Sequence, residues 1–152
     1  MKHFLIIFLI ILCPLTIFAT QAPVKGKVKS NAESKNLIIN ITGFKTNQGV
    51  ARIALVDSKQ NYDNDKNLRQ KIIPVKDKKA QYIVKNLEFG KYAVKVFHDE
   101  NSNGKLDTAI FGIPTEAYGF SNNARGKFGA PDYSKVVFEF NTQDQEIFIK
   151  VK

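Results

Sequence analysis

Apolar and polar residues alternate with a period of two along most of the chain after residue 36. Five segments show this clearly, with apolar residues at Leu37, Ile39 and Ile41, at Ala51, Ile53 and Leu55, at Tyr92, Val94 and Val96, at Val136, Phe138 and Phe140, and at Ile147, Ile149 and Val151. Shorter apolar runs at 72–75 and 82–84 add two candidates. Successive side chains of a strand point to opposite faces, so the pattern predicts about seven strands, each with one solvated face.

Polar turn-forming stretches separate these segments at 46–49, 86–90 and 141–144. No segment has a clear apolar period of 3.6 residues, although 61–70 is suited to a short polar helix. Strands that are not interleaved with helices predict an all-β fold. We expect an antiparallel, seven-stranded β-sandwich of immunoglobulin-like or transthyretin-like kind.

The first 19 residues have the features of a signal peptide. A positively charged start precedes an apolar run at 4–13, and Ala19 suits the position before a cleavage site. That run is too short for a membrane-spanning helix, which needs about 20 residues. Lipoprotein processing at Cys13 is disfavoured because the preceding residue is the bulky Leu12 and not Gly or Ala. We therefore expect ordinary cleavage after Ala19.

These features predict three segments: a signal peptide at 1–19, a polar leader at 20–35 and a β-sandwich domain at 36–152. The expected product is exported, to the periplasm or the exterior, and has no membrane span. The single cysteine of the chain lies within the predicted signal, which rules out a disulfide framework in the folded domain.

The net charge adds little to this picture. Lys and Arg number 23 against 14 Asp and Glu, which gives a formal charge of +9. The basic residues are interspersed with acidic ones, and an exported protein is not expected to meet nucleic acid. We interpret the lysines as the solvated faces and edges of a β-protein, with attraction to anionic surfaces as a secondary consequence.

One short segment carries a candidate metal site. Residues 98–107 read HDENSNGKLD directly after a predicted strand, and the glycine permits a sharp turn. The spacing resembles the start of an EF-hand loop, in which alternate residues direct oxygen atoms at Ca²⁺. The predicted ligands are Asp99, Asn101, Asn103, the backbone carbonyl of Lys105, Asp107 and, from a loop that folds back, Glu116.

The match to an EF-hand is incomplete. Position 12 of the loop is Ile110 where an EF-hand has Glu, and no amphipathic helix flanks the segment. We expect a structural Ca²⁺ site of weak, extracellular-type affinity, on the order of 10⁻⁴–10⁻³ M. The alternative is a solvated turn, because Asp, Asn, Ser and Gly are also common turn residues.

The segment 108–132 is unusually long for a connection without regular structure, and it is rich in glycine and aromatic residues. It is a candidate recognition surface for a sugar, a peptide or an anionic surface. The alternative is a small core that covers one end of the sandwich. The candidate ligand-binding residues are Tyr118, Phe120, Asn122, Asn123, Arg125 and Phe128.

Enzyme signatures are weak. The chain has no G-x-S-x-G or H-E-x-x-H motif and no phosphate-binding glycine loop. His98, Asp99 and Glu116 form an alternative hypothesis, an envelope hydrolase or transferase that uses them in a cleft, although His98 also suits a hydrogen-bonded position on the inner face of its strand. A further alternative is a purely structural domain that assembles with an envelope partner or with itself.

Two strings of the sequence resemble a known family. VFHDENSNGKLDT at 96–108 and GIPTEAYGFSNNARG at 112–126, followed by FGAP at 128–131, are similar to the bacterial exported family called domain of unknown function 2141. Ala117 departs from the glycine expected before Tyr-Gly-Phe. The strand entry LEFGKYAV at 87–94 also resembles transthyretin-like and collagen-adhesin B-type sandwiches. The resemblance implies an exported β-sandwich and does not imply an activity.

Overall fold

The computed structural model describes residues 35–66 and 68–152. The predicted signal peptide, with Cys13 and the cleavage site, lies outside the described residues, as does the predicted leader apart from Lys35. Within the described residues, no helix has the length and apolar character needed to cross a bilayer.

Eight strands account for most of the regular structure in this part of the chain. They are β1 Leu37–Thr42, β2 Val50–Val56, β3 Arg69–Pro74, β4 Lys79–Val84, β5 Gly90–Asp99, β6 Tyr118–Phe120, β7 Phe138–Phe140 and β8 Gln145–Lys150. Two short helices accompany them, α1 Lys59–Asn64 and α2 Tyr133–Val136. The all-β prediction is confirmed.

The strands form two sheets. The first has the order β4-β1-β8 and the second has the order β3-β2-β5-β6. In the second sheet β7 and β6 pair with the same strand at different heights, since Tyr92 of β5 faces Phe138 and Phe97 faces Tyr118. All pairs are antiparallel except β1 and β8, which run parallel.

Alternation along the strands places one face of each sheet in a shared core. Leu37, Ile39 and Ile41 of β1 are fully buried, and they belong to one apolar cluster with Ile53 of β2 and Val94 of β5. A second, smaller cluster lies on the other side of the second sheet. It contains Val56, Tyr62, Ala93, Phe120 and Val136, so both short helices pack there.

The structure refines the sequence predictions in three places. The polar helix begins earlier than expected, because the Ser58 side chain caps it by accepting a hydrogen bond from the Asn61 N–H at 3.2 Å. It ends at Asp65, which has a left-handed backbone conformation. The long segment 108–132 is not irregular throughout, since it contains β6 and two single turns of 3₁₀ helix. The pairing of β1 with β8 is parallel, not antiparallel.

Candidate functional site

The acidic loop begins at the last residue of β5. The Asp99 carboxylate is fully buried, and three donors satisfy it. Its Oδ2 accepts hydrogen bonds from Arg52 Nε at 2.5 Å and from the Gly104 N–H at 2.9 Å, while Oδ1 accepts from the Asn103 N–H at 3.0 Å. Arg52 lies on β2, where it faces Phe97 of β5, so sheet pairing delivers the guanidinium to the loop.

These contacts decide the charge of Asp99. Burial raises the pKa of Asp99, but the hydrogen bond from Arg52 and those from the backbone N–H groups of Gly104 and Asn103 lower it by more. The net pKa lies below the ordinary value of 3.8. Asp99 is therefore an ionised carboxylate at neutral pH.

Glu116 closes the loop from the other side. Its side chain is buried, with Oε1 accepting from the Glu100 N–H at 2.8 Å and Oε2 accepting from the Asp107 N–H at 2.9 Å. The Thr115 N–H also donates to the Asp107 carbonyl at 2.9 Å. The Glu116 carboxylate thus joins the beginning and the end of the acidic loop. The chain after Asp107 folds back to bring Glu116 to the loop.

The exposed part of the loop is organised by its own amides. The Asn101 and Asn103 side-chain oxygens accept backbone N–H groups two residues further on, at 3.0 Å and 2.8 Å. Their Nδ2 atoms donate to the two oxygens of Asp107, at 2.6 Å and 2.9 Å. Asn101, Asn103 and Asp107 therefore converge, while Lys105 contributes only backbone to the turn.

The arrangement contains a built-in positive charge. Arg52 already lies against Asp99, and a Cβ on Gly104 would be 3.4 Å from Arg52 Nη2. Among the described residues, no group of three or more His, Cys, Asp or Glu side chains is placed to hold a metal ion. Any cation in this loop would share it with the Arg52 guanidinium.

His98 lies on the inner face of β5 and is fully buried. Its Nε2 is 2.7 Å from the carbonyl of Gln48, and because a carbonyl only accepts, Nε2 carries a proton. Nδ1 is 3.2 Å from Glu100 Oε1, but it has no hydrogen-bond partner among the described residues. The Phe44 ring meets the imidazole edge-on at 5.0 Å.

His98 and Asp99 are adjacent in the chain and Glu116 bonds the N–H of Glu100, but each residue of the hydrolase hypothesis contacts a different partner. His98 faces Gln48, Asp99 faces Arg52, and Glu116 bonds two backbone N–H groups. Ser121, whose hydroxyl lies beside β5, is fully buried. Its Oγ accepts from the Val94 N–H at 2.9 Å and donates to the Val136 carbonyl at 2.5 Å.

Two of the predicted ligand-binding aromatics lie in β6. Phe120 is buried in the smaller apolar cluster and Tyr118 packs against that cluster. Arg125 lies beside Tyr118, with its Cζ 5.2 Å from the ring centroid and its Nη1 donating to the Tyr118 carbonyl at 2.9 Å. Nη2 donates to the Lys150 carbonyl at 3.1 Å, so Arg125 links β6 to β8.

Asn122 and Asn123 also contact backbone. Both have positive φ angles, 59° and 52°, which asparagine tolerates better than most residues. Asn122 Nδ2 donates to the carbonyls of Lys135 and Val137. Asn123 accepts the Lys150 N–H at 2.7 Å and donates to the Phe148 carbonyl at 3.3 Å. Its amide thus pairs with the edge of β8 as a neighbouring strand would.

We expect Asn123→Ala to lower the free energy of unfolding by about 1–2 kcal/mol, since two bonds to the β8 edge are lost and alanine is less tolerant of positive φ. Asn141→Ala is the matched control, because Asn141 is exposed and no hydrogen bond of its side chain is seen among the described residues. Urea unfolding measures the loss, and amide exchange at Lys150 should accelerate. Equal stability of the two variants would contradict the proposed pairing.

Phe128 differs from the other candidates because its side chain is fully exposed. A second apolar group is exposed nearby in sequence: Phe111 is 96% exposed, Ile110 78% and Ile113 63%. Phe111 has a φ of 66° within a single 3₁₀ turn. The exposed apolar surface of segment 108–132 therefore lies at Ile110–Ile113 and at Phe128, and not at β6.

The sequence that contains the acidic loop and segment 108–132 matches the model of a bacterial family. The family model described as "Uncharacterized protein conserved in bacteria (DUF2141)" matches residues 39–148. The chain belongs to the DUF2141 family. The match extends from β1 into β8 and includes both the acidic loop and segment 108–132. No curated protein and no solved structure matches the chain.

A groove runs beside the acidic loop of this DUF2141 protein. It has a volume of about 430 Å³ and lies on the outer face of the second sheet. Its lining includes Arg52, Lys95, Gly104, Leu106 and Ala130. Lys95 is already engaged, since its Nζ is 2.6 Å from Asp65 Oδ1 and 2.7 Å from the Tyr62 carbonyl.

The candidate ligand set omitted features that the DUF2141 structure makes prominent. Ile110 and Ile113 flank a Phe-Gly pair, and Pro114 follows them. This apolar run is visible in the sequence, but the sequence does not show whether it is exposed or buried. The sequence contains no comparable signal for Arg52. Its position depends on the pairing of β2 with β5, which joins residues about fifty positions apart.

Proposed function

We propose that this DUF2141 protein is an exported, non-enzymatic binding or structural module built on an immunoglobulin-like or transthyretin-like β-sandwich. Its binding surface is the exposed apolar part of segment 108–132. The single observation that carries the proposal is that Ile110, Phe111, Ile113 and Phe128 are exposed, while the carboxylates of Asp99, Asp107 and Glu116 beside them all accept hydrogen bonds within the protein. Side chains that contribute so little burial to the fold are typical of interaction sites.

The acidic loop supports this surface by holding the start of segment 108–132 in place. Glu116 holds Asp107, and Asp107 leads directly into the segment that carries Phe111. A binding loop that is ordered before its partner arrives loses less conformational entropy on binding. The hydrogen bonds of Asp99 and Glu116 supply such order, and they require no catalytic role for either carboxylate.

Calcium is part of the proposal as an additional stabiliser of the acidic loop. Asp99, Asn101, Asn103, Asp107, Glu116 and the Lys105 carbonyl would be the oxygen donors. An amide oxygen has two lone pairs, so Asn101 and Asn103 retain acceptor capacity after accepting one N–H each. The positive charge of Arg52 opposes a second cation, which is consistent with weak affinity.

We expect 10 mM Ca²⁺ to raise the free energy of unfolding by about 1.4–2.7 kcal/mol, the gain for a dissociation constant of 10⁻³–10⁻⁴ M. Melting temperature with and without Ca²⁺ measures it, and hydrogen exchange of segment 108–132 should slow in parallel. Asp107→Asn should abolish the gain while leaving the calcium-free protein nearly as stable. A wild-type melting temperature that is the same at zero and 10 mM Ca²⁺ would remove calcium from the proposal.

A further inference from the structure

The acidic loop contains an Asn-Gly pair, Asn103 and Gly104, and both residues are exposed. It is the only Asn-Gly pair in the chain. Asparagine before glycine is chemically labile, because the next backbone nitrogen can attack the side-chain amide and glycine has no Cβ to obstruct the approach. The attack forms a cyclic imide, which water opens to aspartate or isoaspartate. The sequence therefore places a candidate site of spontaneous modification inside the loop.

The reaction at this pair can be written with its bonds and protons. The Gly104 nitrogen bonds to Asn103 Cγ, and the Cγ–Nδ2 bond breaks. Nδ2 leaves as ammonia with the proton that the Gly104 nitrogen gives up. Water then adds to one of the two imide carbonyls, and the ring nitrogen regains a proton as its bond to that carbonyl breaks. The attacking nitrogen must therefore be free, and the amide must be able to turn toward it.

The folded loop restrains both reacting groups. The Gly104 N–H donates to the buried Asp99 Oδ2 at 2.9 Å. The Asn103 amide is fixed at both ends, since Oδ1 accepts the Lys105 N–H at 2.8 Å and Nδ2 donates to Asp107 Oδ1 at 2.9 Å. Attack on Cγ has to break the bond to Asp99, and the departure of Nδ2 breaks the bond to Asp107.

We propose that Asn103 is a deamidation site whose reaction the bond between the Gly104 N–H and the Asp99 carboxylate suppresses. Modification then proceeds only from a conformation in which this part of the loop has opened, so its rate reports the population of that conformation. Asp99 is well suited to this role because Arg52 and the Asn103 N–H hold its carboxylate in place. The proposal goes beyond the binding surface, since it requires no ligand.

Modification at this position changes the loop irreversibly. An aspartate at position 103 has no Nδ2 donor, so Asp107 loses one of its two amide partners and faces a second carboxylate instead. Two negative charges at that distance repel each other. Isoaspartate also adds a methylene to the backbone immediately before Gly104, which displaces the N–H that bonds to Asp99. Either product therefore loosens the acidic loop ahead of segment 108–132.

Incubation of the full-length protein in mildly alkaline buffer tests the proposal. Trypsin cleaves after Lys95 and Lys105, so the peptide 96–105 contains the Asn-Gly pair. Mass spectrometry with fragmentation measures and locates the conversion of amide to acid, and chromatography separates aspartate from isoaspartate. We expect Asn103 to deamidate at least about tenfold more slowly in the native protein than in urea. Equal rates in the two states would overturn the proposal.

Asp99→Ala tests whether the proposed bond is responsible, because it removes the acceptor of the Gly104 N–H. We expect deamidation at Asn103 to accelerate by about tenfold, at a temperature where circular dichroism shows the variant to be folded. Leu37→Ala is the matched control for lower global stability, since Leu37 is fully buried on β1 in the other sheet. Equal rates at Asn103 in the two variants, whether raised or unchanged, would overturn the proposal.

The same peptide contains an internal reference, Asn101. Its Nδ2 also donates to Asp107, at 2.6 Å, but no hydrogen bond of the following Ser102 N–H is seen among the described residues. Asp99→Ala should therefore raise the rate at Asn101 much less than the rate at Asn103. A parallel rise at both asparagines would show that general loosening of the loop, and not the bond to Asp99, controls the reaction, and the proposal would fail.

Discussion

Replacing Asp99 by asparagine should lower the free energy of unfolding by roughly 3 kcal/mol, because an amide cannot accept from three donors as the carboxylate does. The buried carboxylate receives Arg52 Nε and the N–H groups of Asn103 and Gly104. In the variant, an NH₂ group must face at least one of these donors, and Arg52 loses its counter-charge. Urea unfolding measures the loss.

Asp107→Asn is the matched control for this prediction. It makes the same chemical change in the same loop, but Asp107 is only partly buried and accepts from two exposed amides. We expect a loss below about 1 kcal/mol. Equal losses at the two positions would show that the burial and ion pair of Asp99 do not stabilise the fold.

The pH dependence gives a second measurement of the Asp99 contribution. Burial raises the pKa of Asp99, but the bonds from Arg52 and the two N–H groups outweigh it, so the folded-state pKa lies below 3.8. A depressed carboxyl pKa stabilises the fold above the unfolded-state value, and that stability is lost as the pH falls through the folded-state pKa. The difference between wild type and Asp99→Asn should therefore shrink below about pH 4. Parallel pH profiles would contradict this account.

Gly49→Ala should be among the most damaging single substitutions in the described residues. Gly49 has a φ of 70°, and an added Cβ would lie 2.1 Å from the Asp99 carbonyl oxygen and 2.7 Å from Glu100 Cα. Those atoms are backbone, and Val50 is paired with Asp99 in the sheet, so neither side moves freely. We expect the free energy of unfolding, measured with urea, to fall by at least about 3–4 kcal/mol.

Gly112→Ala separates steric contact from backbone preference. Gly112 has nearly the same φ, 71°, but a Cβ there meets no atom within 4 Å. Its substitution should lower the free energy of unfolding by about 1 kcal/mol, which is the cost of placing alanine in a left-handed backbone conformation. If the two alanine variants are equally stable, the close contact of Gly49 with the Asp99 and Glu100 backbone does not limit substitution there.

The strands were predictable because burial on one face leaves a period of two in the sequence. Leu37, Ile39 and Ile41 follow it, and all three lie in the core. β6 was missed because three residues are too few to show a period, and its middle residue is Gly119. Its place in the sheet depends on β5, which supplies the partner backbone.

The acidic loop was predictable in its local part. Asn101 and Asn103 bond to N–H groups two residues away, and such contacts depend only on residue type and spacing. The partner of Asp99 was not predictable in this way. Arg52 reaches it through sheet pairing, and Gly49 contacts the same point from the turn before β2.

Segment 108–132 shows most directly which residues cannot be assigned a role from the sequence alone. Asn123 and Arg125 are polar residues among aromatics, which is typical of a binding site, and their ligand role stays a prediction. In the folded chain their hydrogen bonds go to the backbone of β8, from more than twenty positions further along. An asparagine that caps a strand and one that binds a ligand have the same sequence signature, because both need only an exposed amide.

The sequence by itself determined the β class, the strand faces and the composition of the acidic loop, since each depends on neighbours within a few residues. Only the tertiary structure decided which oxygens of that loop face Arg52, which aromatics are buried, and which remain at the surface. The reason is that burial and ion pairing depend on strands far apart in the chain. Phe120 and Phe111 are chemically identical, and their different exposure follows only from the presence of β5 beside one and of solvent around the other.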